Sequence, residues 1–157
     1  MSVPATIAPL DAATARAVAR AFLPDHWAGN RWHYHYAVAK LRTDPLYPGV
    51  VDALRGTDAP LLDLGCGIGL LAHALRANGV TLPYRGIDND RGKIARAQAA
   101  AARAGLDDIV FDAIDLADGP PTHQGSIAIL DVLQFVSPGV QDAMLDAAVA
   151  MLVPGGR

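Results

Sequence analysis

A glycine-rich turn preceded by a carboxylate is the part of this sequence best suited to chemistry. The segment 61–69 runs from an apolar stretch into Gly65, Cys66 and Gly67, with Asp63 just ahead of them. Glycine lacks a Cβ and tolerates positive φ, so the backbone of such a turn can approach a ligand closely. The carboxylate of Asp63 would repel a phosphate, whereas it would attract an ammonium group. The turn therefore predicts a site for a ligand that carries a positive charge.

Further acids follow apolar stretches that are predicted to be strands. Asp88 comes after the second of these, about 20 residues beyond the turn, where a doubly wound sheet places an acid on ribose hydroxyls. A carboxylate suits that task because it accepts hydrogen bonds from two neighbouring hydroxyls. Asp115 follows the third predicted strand and Asp131 the fourth, while Asp112 competes with Asp115 but is better interpreted as a surface acid. Because the carboxyl ends of parallel strands meet at one edge of a sheet, we expect these acids around a single site.

The order of helices and strands predicts a doubly wound α/β fold. Beyond about residue 58, strands alternate with helices, which is typical of a parallel sheet covered by helices. The strands are predicted over 61–64, 84–87, 109–111 and 127–130, and the helices between and after them over 70–78, 91–104 and 138–152. Three more helices, over 11–23, 30–42 and 45–55, are predicted from capping residues and periodicity. We therefore divide the chain into an N-terminal helical cap segment, residues 1–57, and a ligand-binding domain, residues 58–157.

These motifs together resemble those of the class I S-adenosylmethionine (SAM)-dependent methyltransferases. The turn after Asp63 resembles the first motif of that family, and Leu152–Arg157 resembles the turn that precedes its fifth strand. The resemblance implies a Rossmann-like parallel sheet in strand order 3-2-1-4, truncated before the fifth strand. It also implies SAM as the cofactor and S-adenosylhomocysteine (SAH) as the product.

The resemblance assigns roles to individual residues of the predicted site. Asp63 would meet the ammonium group, the backbone around Gly65, Cys66 and Gly67 the methionine moiety, and Asp88 the ribose. Asp115 would accept a hydrogen bond from the adenine amino group, and the backbone of the next residue would serve the ring. The full predicted set of cofactor-binding residues is Asp63, Gly65, Cys66, Gly67, Asp88, Asn89, Asp115, Leu116 and Asp131.

The implied reaction is transfer of the SAM methyl group to a small-molecule acceptor, with oxygen as the favoured atom. Residues 34–47 also resemble methyltransferases encoded among bacterial aryl-polyene pigment genes, which implies an aromatic acceptor. Two alternatives stay open. The chain could be a non-catalytic SAM-binding module that needs a partner chain to complete its sheet. An NAD-dependent oxidoreductase is disfavoured, because its G-x-G-x-x-G fingerprint requires glycine at Leu70 and because Asp63 would face the pyrophosphate.

An aromatic run in the N-terminal segment is the candidate for the acceptor side of the site. Trp32, Tyr36 and Lys40 share one helical face through their i, i+4 spacing. Helices ahead of the first strand often close over the cofactor in this family. Trp32 and Tyr36 are therefore candidates for substrate binding and for cation–π contact with the sulfonium. His33 and His35 are the candidates for taking a proton from a hydroxyl acceptor, and the alternative is an amphipathic helix whose aromatics only pack on the sheet.

Composition argues against several other classes of function. The 157 residues carry a formal net charge of -3 and no basic tract, so a nucleic-acid partner is not expected. A lone cysteine fits a reducing compartment, and no apolar run approaches the length of a bilayer span, which predicts a cytoplasmic protein without a membrane partner. No spacing of His, Cys and Asp suggests a metal site. We interpret His26, His73 and His123 as surface or loop residues, and the sequence leaves the oligomeric state open.

Overall fold

Four parallel strands form the centre of the structure, a computed structural model that describes residues 8–157. They are β1 (Leu61–Leu64), β2 (Tyr84–Asp88), β3 (Ile109–Ala113) and β4 (Ser126–Ile129), in the order β3-β2-β1-β4. Every residue of β1 is buried, as expected for a central strand of a sheet that is covered on both faces. The predicted doubly wound sheet and its strand order are confirmed.

Helices cover the two faces of the sheet. The helices after β1, β2 and β4 are α4 (Leu70–Ala77), α5 (Arg91–Ala104) and α6 (Pro138–Met151). Side chains alternate along a strand, so Leu61 packs on one face with residues of α4 and α5, whereas Leu62 packs on the other with Met151 of α6. This alternation produces two separate apolar clusters from one sheet.

Three helices precede the sheet and form a further layer. They are α1 (Ala12–Ala19), which continues into a short 3₁₀ helix (Arg20–Phe22), α2 (Trp32–Thr43) and α3 (Leu46–Ala53). Ala15, Phe22 and Leu41 from this layer share one buried cluster with Leu70 of α4 and Ala100 of α5. Apolar side chains from both sides of residue 57 thus pack together, and the division of the chain at that point stays a prediction.

Capping residues set most of the helix ends near their predicted positions. Asp11 accepts hydrogen bonds from the amides of Ala13 and Thr14, and Asp90 caps α5 in the same way. Asn30 Oδ1 accepts from the amide of Trp32 at 2.8 Å, as expected for the predicted capping residue, and α2 begins at Trp32. None of the helices within residues 8–157 is long and apolar enough to cross a membrane.

The interpretation of His73 as a surface or loop residue is wrong. His73 lies on α4, is only 3% exposed, and its ring centroid is 4.8 Å from that of Phe22 in the N-terminal layer. Two core clusters enclose α4, so that its first six residues, Leu70–Leu75, are all buried. Burial lowers the pKa of His73 to about 4, so its imidazole is neutral in the folded protein.

Four strand boundaries differ from the prediction by one or two residues, among them the end of β2, at Asp88 rather than residue 87, and the end of β4, at Ile129 rather than residue 130. β3 continues to Ala113, because its pairing with β2 extends to Asp88, and the amide of Ile114 still donates to the carbonyl oxygen of Asp88 at 3.0 Å. β4 begins at Ser126, one residue before its predicted start. After α6 the chain returns to the outer edge of β4, where the carbonyl oxygen of Arg157 accepts from the amide of Ile127 at 2.9 Å.

Candidate functional site

The glycine-rich turn is held against β2 by its own backbone. The amides of Gly65 and Cys66 both donate to the carbonyl oxygen of Ile87, at 2.8 and 2.9 Å. At Gly69, where φ is +77°, a Cβ would lie 2.5 Å from an aromatic carbon of β3, so the packing requires glycine. At Gly67 no atom lies within 4 Å of the position that a Cβ would take. The turn is therefore packed tightly at one glycine and bare at another.

A cavity of about 990 Å³ opens beside this turn, at the carboxyl ends of the strands. Pockets for drug-sized ligands measure roughly 300–1,000 Å³, so this volume leaves room for a cofactor and a second reactant. The structure brings all the predicted cofactor-binding residues into its wall: Asp63, Gly65, Cys66, Gly67, Asp88, Asn89, Asp115, Leu116 and Asp131. Their contacts with a bound cofactor stay predictions.

Backbone amides hold the Asp88 carboxylate at the rim of the cavity. Its Oδ2 accepts a hydrogen bond from the amide of Gly67 at 3.0 Å, and its Oδ1 accepts from the amide of Asp90 at 2.9 Å. Each carboxylate oxygen has a second lone pair, so both can still accept from a hydroxyl. The arrangement suits the predicted contact with two ribose hydroxyls.

Asp63 lies at the bottom of the cavity and is only 2% exposed. Its Oδ2 accepts a hydrogen bond from the hydroxyl of Tyr84 at 2.5 Å. Burial raises the pKa of Asp63 to about 7; the hydrogen bond from Tyr84 opposes this rise, and the charge of Asp88 adds to it. Burial likewise raises the pKa of the neighbouring Cys66 thiol, which is therefore neutral rather than a thiolate.

Lys40 joins α2 to the end of β4. Its Nζ donates to Asp44 Oδ2 at 2.6 Å and to Asp131 Oδ2 at 3.2 Å. The hydrogen bond to Asp44 raises the pKa of Lys40, so the ammonium stays charged and acts as a donor, not as a base. Asp131 itself has a positive φ of 56°, a conformation that non-glycine residues seldom adopt.

The two competing acids after β3 have different surroundings. Asp115 lies in the cavity wall, and its Oδ1 accepts from the amide of Ala117 at 2.9 Å. Asp112 is outside the wall and forms an ion pair with Arg85 at 2.8 Å. The geometry therefore favours Asp115 over Asp112 as the residue that faces a ligand.

The structure does not bring Trp32, His33 or His35 into the cavity wall, whereas Tyr36 lies in it. Trp32 is one helical turn further from the cavity, is 57% exposed, and stacks on Tyr36 with ring centroids 5.0 Å apart. His33 is half-buried near Arg96 of α5; burial and the charge of Arg96 lower its pKa. His35 is exposed. The geometry does not support substrate binding by Trp32 or proton transfer by His33 and His35.

Several residues of the wall were not predicted from the sequence. They include Tyr47, Lys93, Gln134, Phe135, Val136, Val140 and Met144. Lys93 could have been found, because it lies in the first turn of a helix that begins directly after the acid at the end of β2. Tyr47 ends the segment 34–47, whose resemblance assigned it no role in the site, and the packing of α3 against α4 places it in the wall.

The composition of the wall fits SAM, which carries an ammonium and a sulfonium but no phosphate. The wall contains four carboxyl groups, those of Asp63, Asp88, Asp115 and Asp131, and two ammonium groups, those of Lys40 and Lys93. This balance favours a cationic ligand and disfavours the pyrophosphate of NAD. In the described part of the chain, no group of three or more His, Cys, Asp or Glu side chains is arranged to hold a metal ion.

Comparison of sequences connects the chain with known methyltransferases. The family model described as "Methyltransferase domain" matches residues 61–156. A protein of Paracidovorax citrulli (strain AAC00-1) named "Ubiquinone biosynthesis O-methyltransferase" is 31% identical over 121 residues, which cover 72% of this chain and 48% of that protein. A protein of the same name from Xylella fastidiosa (strain 9a5c) is 31% identical over 99 residues, 63% of this chain and 39% of that protein. The chain thus spans about half or less of the length of these relatives.

Solved structures share the fold and carry the product of SAM. PKMT2 from Rickettsia typhi in complex with AdoHcy (SAH) is 26% identical, with a TM-score of 0.55 over 73% of this chain and 24% of that chain. A SAM-dependent methyltransferase from Thiobacillus denitrificans in complex with SAH is 25% identical, with a TM-score of 0.56 over 73% of this chain and 46% of that chain. The family match, the strand order and the cavity lead to one conclusion: this chain belongs to the class I SAM-dependent methyltransferases, and its cofactor is SAM.

Proposed function

We propose that the protein transfers the methyl group of SAM to an oxygen atom of a small-molecule acceptor. The observation that carries this proposal is a single cavity of about 990 Å³ with two unlike parts. Acids after β2 and β3 line one part, and Asp63 lies below it. Side chains of α2, α3 and α6 and of the loop after β4 line the other. The first part suits the nucleoside of the cofactor, and the second leaves space for an acceptor.

The second part of the cavity favours an aromatic or otherwise apolar acceptor. Its wall includes Tyr36, Tyr47, Val136, Val140 and Met144. Flat apolar molecules are stabilised by such side chains through burial and aromatic contact. The Paracidovorax citrulli relative, of which this chain covers about half the length, is named as an O-methyltransferase of ubiquinone biosynthesis, which supports an oxygen acceptor here.

The residues of this chain would act mainly by positioning the reactants. Bound SAM supplies a methyl group that its sulfonium already activates. The acids and the turn would hold the cofactor in one orientation, and the second part of the cavity would align the acceptor with it. Lys40, the hydroxyls of Tyr36, Tyr47 and Ser137 and the side-chain amide of Gln134 are among the hydrogen-bond donors in the wall that an acceptor oxygen could meet.

Binding of the cofactor is tested by titration calorimetry with SAM, SAH and NAD. We expect SAM and SAH to bind in the micromolar range and NAD not to bind. Asp88→Ala would remove the two predicted hydrogen bonds from the ribose hydroxyls to the Asp88 carboxylate, so affinity for SAH should fall by about 100-fold. Asp112→Ala is the matched control, because it removes an acid that lies outside the cavity wall. NAD binding, or unchanged SAH affinity in Asp88→Ala, would contradict the assignment of this site.

Methyl transfer is tested separately with SAM that carries a radioactive methyl group. A catechol and an aromatic diamine of the same size serve as paired acceptors. We expect label in the catechol and little in the diamine, because the proposal specifies oxygen. Label in the diamine alone would reject the oxygen acceptor. Firm binding of SAM with no transfer to a panel of hydroxylated aromatics would reject the proposed activity.

A further inference from the structure

A buried hydrogen-bonded pair joins the bottom of the cavity to the core of the protein. Tyr84, at the start of β2, is 2% exposed and packs edge-on against Phe111 with ring centroids 5.7 Å apart. Its hydroxyl donates to Asp63 Oδ2 at 2.5 Å, and no other hydrogen bond to the Asp63 side chain is present among residues 8–157. The pair therefore contains one buried carboxyl group with a single neutral donor.

No positive charge in the described part of the chain is bonded to this carboxyl group. The neighbouring strands place Gly86 and Ala128 beside Asp63. The titratable groups that face it are the phenols of Tyr47 and Tyr84, the thiol of Cys66 and the carboxylate of Asp88. The ammonium of Lys40 is bonded to Asp44 and Asp131. An ionised carboxylate without a counterion is costly to bury, so Asp63 is mostly protonated in the ligand-free protein below about pH 7.

We propose that Tyr84 is a positioning residue that couples binding of the cofactor to the release of a proton from Asp63. This inference rests on the predicted contact between Asp63 and the ammonium group of the cofactor. The arriving ammonium supplies the counterion that the site lacks, Asp63 gives its proton to the solvent, and the carboxylate and ammonium form an ion pair. No covalent bond changes, and the proton is the only species released.

Tyr84 sets the pH at which this exchange occurs. Its hydroxyl stabilises the ionised carboxylate, and it is the group that opposes the effect of burial on the pKa of Asp63. Without that hydroxyl, ionisation of Asp63 would need a higher pH. The cofactor would then bind well only in more alkaline solution.

The test measures proton release when SAH binds, by calorimetry in phosphate and in imidazole, which differ in ionisation enthalpy. SAH has an α-amino group that titrates too, so the decisive quantity is the difference between the wild type and Asp63→Asn. At about pH 6 we expect the wild type to release close to one proton more than Asp63→Asn. This excess should vanish by about pH 8.5, and the wild-type affinity should fall by up to about tenfold per pH unit on acidification.

Two further variants identify the role of Tyr84. In Tyr84→Phe we expect excess proton release to persist to higher pH, with weaker SAH binding at about pH 7.5 and near-normal binding at about pH 9. Tyr34→Phe is the matched control, since Tyr34 also packs against a buried cluster but has no hydrogen bond to Asp63; its profile should be that of the wild type. A merely structural role of Tyr84 would weaken binding equally at both pH values.

Several outcomes would overturn the proposal. Equal proton release from the wild type and Asp63→Asn would show that Asp63 releases no proton when SAH binds. SAH binding in the same titrations would leave the proposed function intact. A pH-independent loss in Tyr84→Phe removes the role of Tyr84. If Tyr84→Phe does not fold, the comparison of the wild type with Asp63→Asn still decides the exchange. Absence of SAH binding at every pH would overturn this inference and the proposed function together.

Discussion

At the scale of single residues, two glycines of the same turn have different surroundings, so that a side chain at one should affect mainly stability and at the other mainly binding. Gly67 and Gly69 both have positive φ, at 57° and 77°. A Cβ at Gly69 would collide with the ring of Phe111 and lie 3.2 Å from Ala97 Cβ, whereas a Cβ at Gly67 would meet no atom within 4 Å. Gly67 also lines the cavity, so an added methyl group there would occupy space that the cofactor is predicted to use.

We expect Gly69→Ala to act mainly on the stability of the fold and Gly67→Ala mainly on SAH binding. Gly69→Ala should lower the free energy of unfolding by about 2–5 kcal/mol, from left-handed strain and the clash together. Gly67→Ala should cost only the strain, about 1–2 kcal/mol, but should weaken SAH binding by tenfold or more. Urea unfolding and calorimetry measure the two quantities. Normal SAH affinity in Gly67→Ala would place the cofactor away from this turn.

The acids of the site could be predicted from the sequence, but their partners could not. Asp63 could be predicted because it lies just ahead of the glycine-rich turn, and Asp88 because it ends the next apolar strand; the ends of parallel strands meet at one edge of the sheet. Tyr84 contacts Asp63 across 21 residues of sequence, and Lys40 contacts Asp131 across 91. No local pattern records pairings of this kind, because they depend on how the strands are ordered and how α2 packs on them.

At the scale of the elements, periodicity predicts which side chains of α2 share a face but not how far along the helix the cavity extends. Tyr36 and Lys40 lie in the wall, and Trp32 has the same spacing but lies beyond the rim. His33 and His35 are on other sides of the helix, one near Arg96 and one exposed. The position of α2 therefore decides which of its residues line the cavity. Its packing against α1 and the 3₁₀ helix fixes that position.

Arg103 of α5 attaches this N-terminal layer to the domain. Its guanidinium donates to the carbonyl oxygens of Ala21 and Leu23, at 2.9 and 3.0 Å, and pairs with Asp25. Ala21 lies in the 3₁₀ helix and Leu23 directly after it, at a helix end where carbonyl groups lack partners within the helix. One planar side chain thus satisfies several groups that the end of a helix leaves free.

Replacement of Arg103 should loosen the N-terminal layer. We expect Arg103→Met to lower the free energy of unfolding by about 1–3 kcal/mol, because the carbonyls of Ala21 and Leu23 lose their donor, while the exposed pair with Asp25 adds little. Arg103→Lys keeps the charge but cannot reach three acceptors with a fork, so it should be intermediate. Urea unfolding measures both. Equal stability of the wild type and Arg103→Met would show that apolar packing alone holds the layer.

At the scale of the whole molecule, one buried histidine lies where the N-terminal layer meets the α/β sheet domain. The Nε2 atom of His73 has no hydrogen-bond partner among the described residues, and its ring packs on Phe22. A buried polar atom without a partner costs free energy, and a charge at this position would cost more. The junction between the two layers is therefore stable only while His73 is neutral.

This requirement predicts how the stability of the protein depends on pH. Burial lowers the pKa of His73 to about 4, below the value of about 6.5 for an unfolded chain. Between these values the unfolded protein binds a proton that the folded protein does not, so the contribution of His73 to stability falls as the pH falls from about 6.5 to about 4, by up to about 3 kcal/mol. Asp63 acts in the opposite direction, because its pKa is raised to about 7 and its contribution to stability falls as the pH rises toward that value.

The variant His73→Leu tests the contribution of His73, because the contribution of Asp63 is unchanged in it. When the pH falls from about 7 to about 4.5, the change in the free energy of unfolding, measured with urea, should be less unfavourable in His73→Leu than in the wild type. His26→Gln, at an exposed histidine, is the control and should lose stability like the wild type. An equal acid loss in His73→Leu and the wild type would mean that the imidazole is protonated within the folded protein.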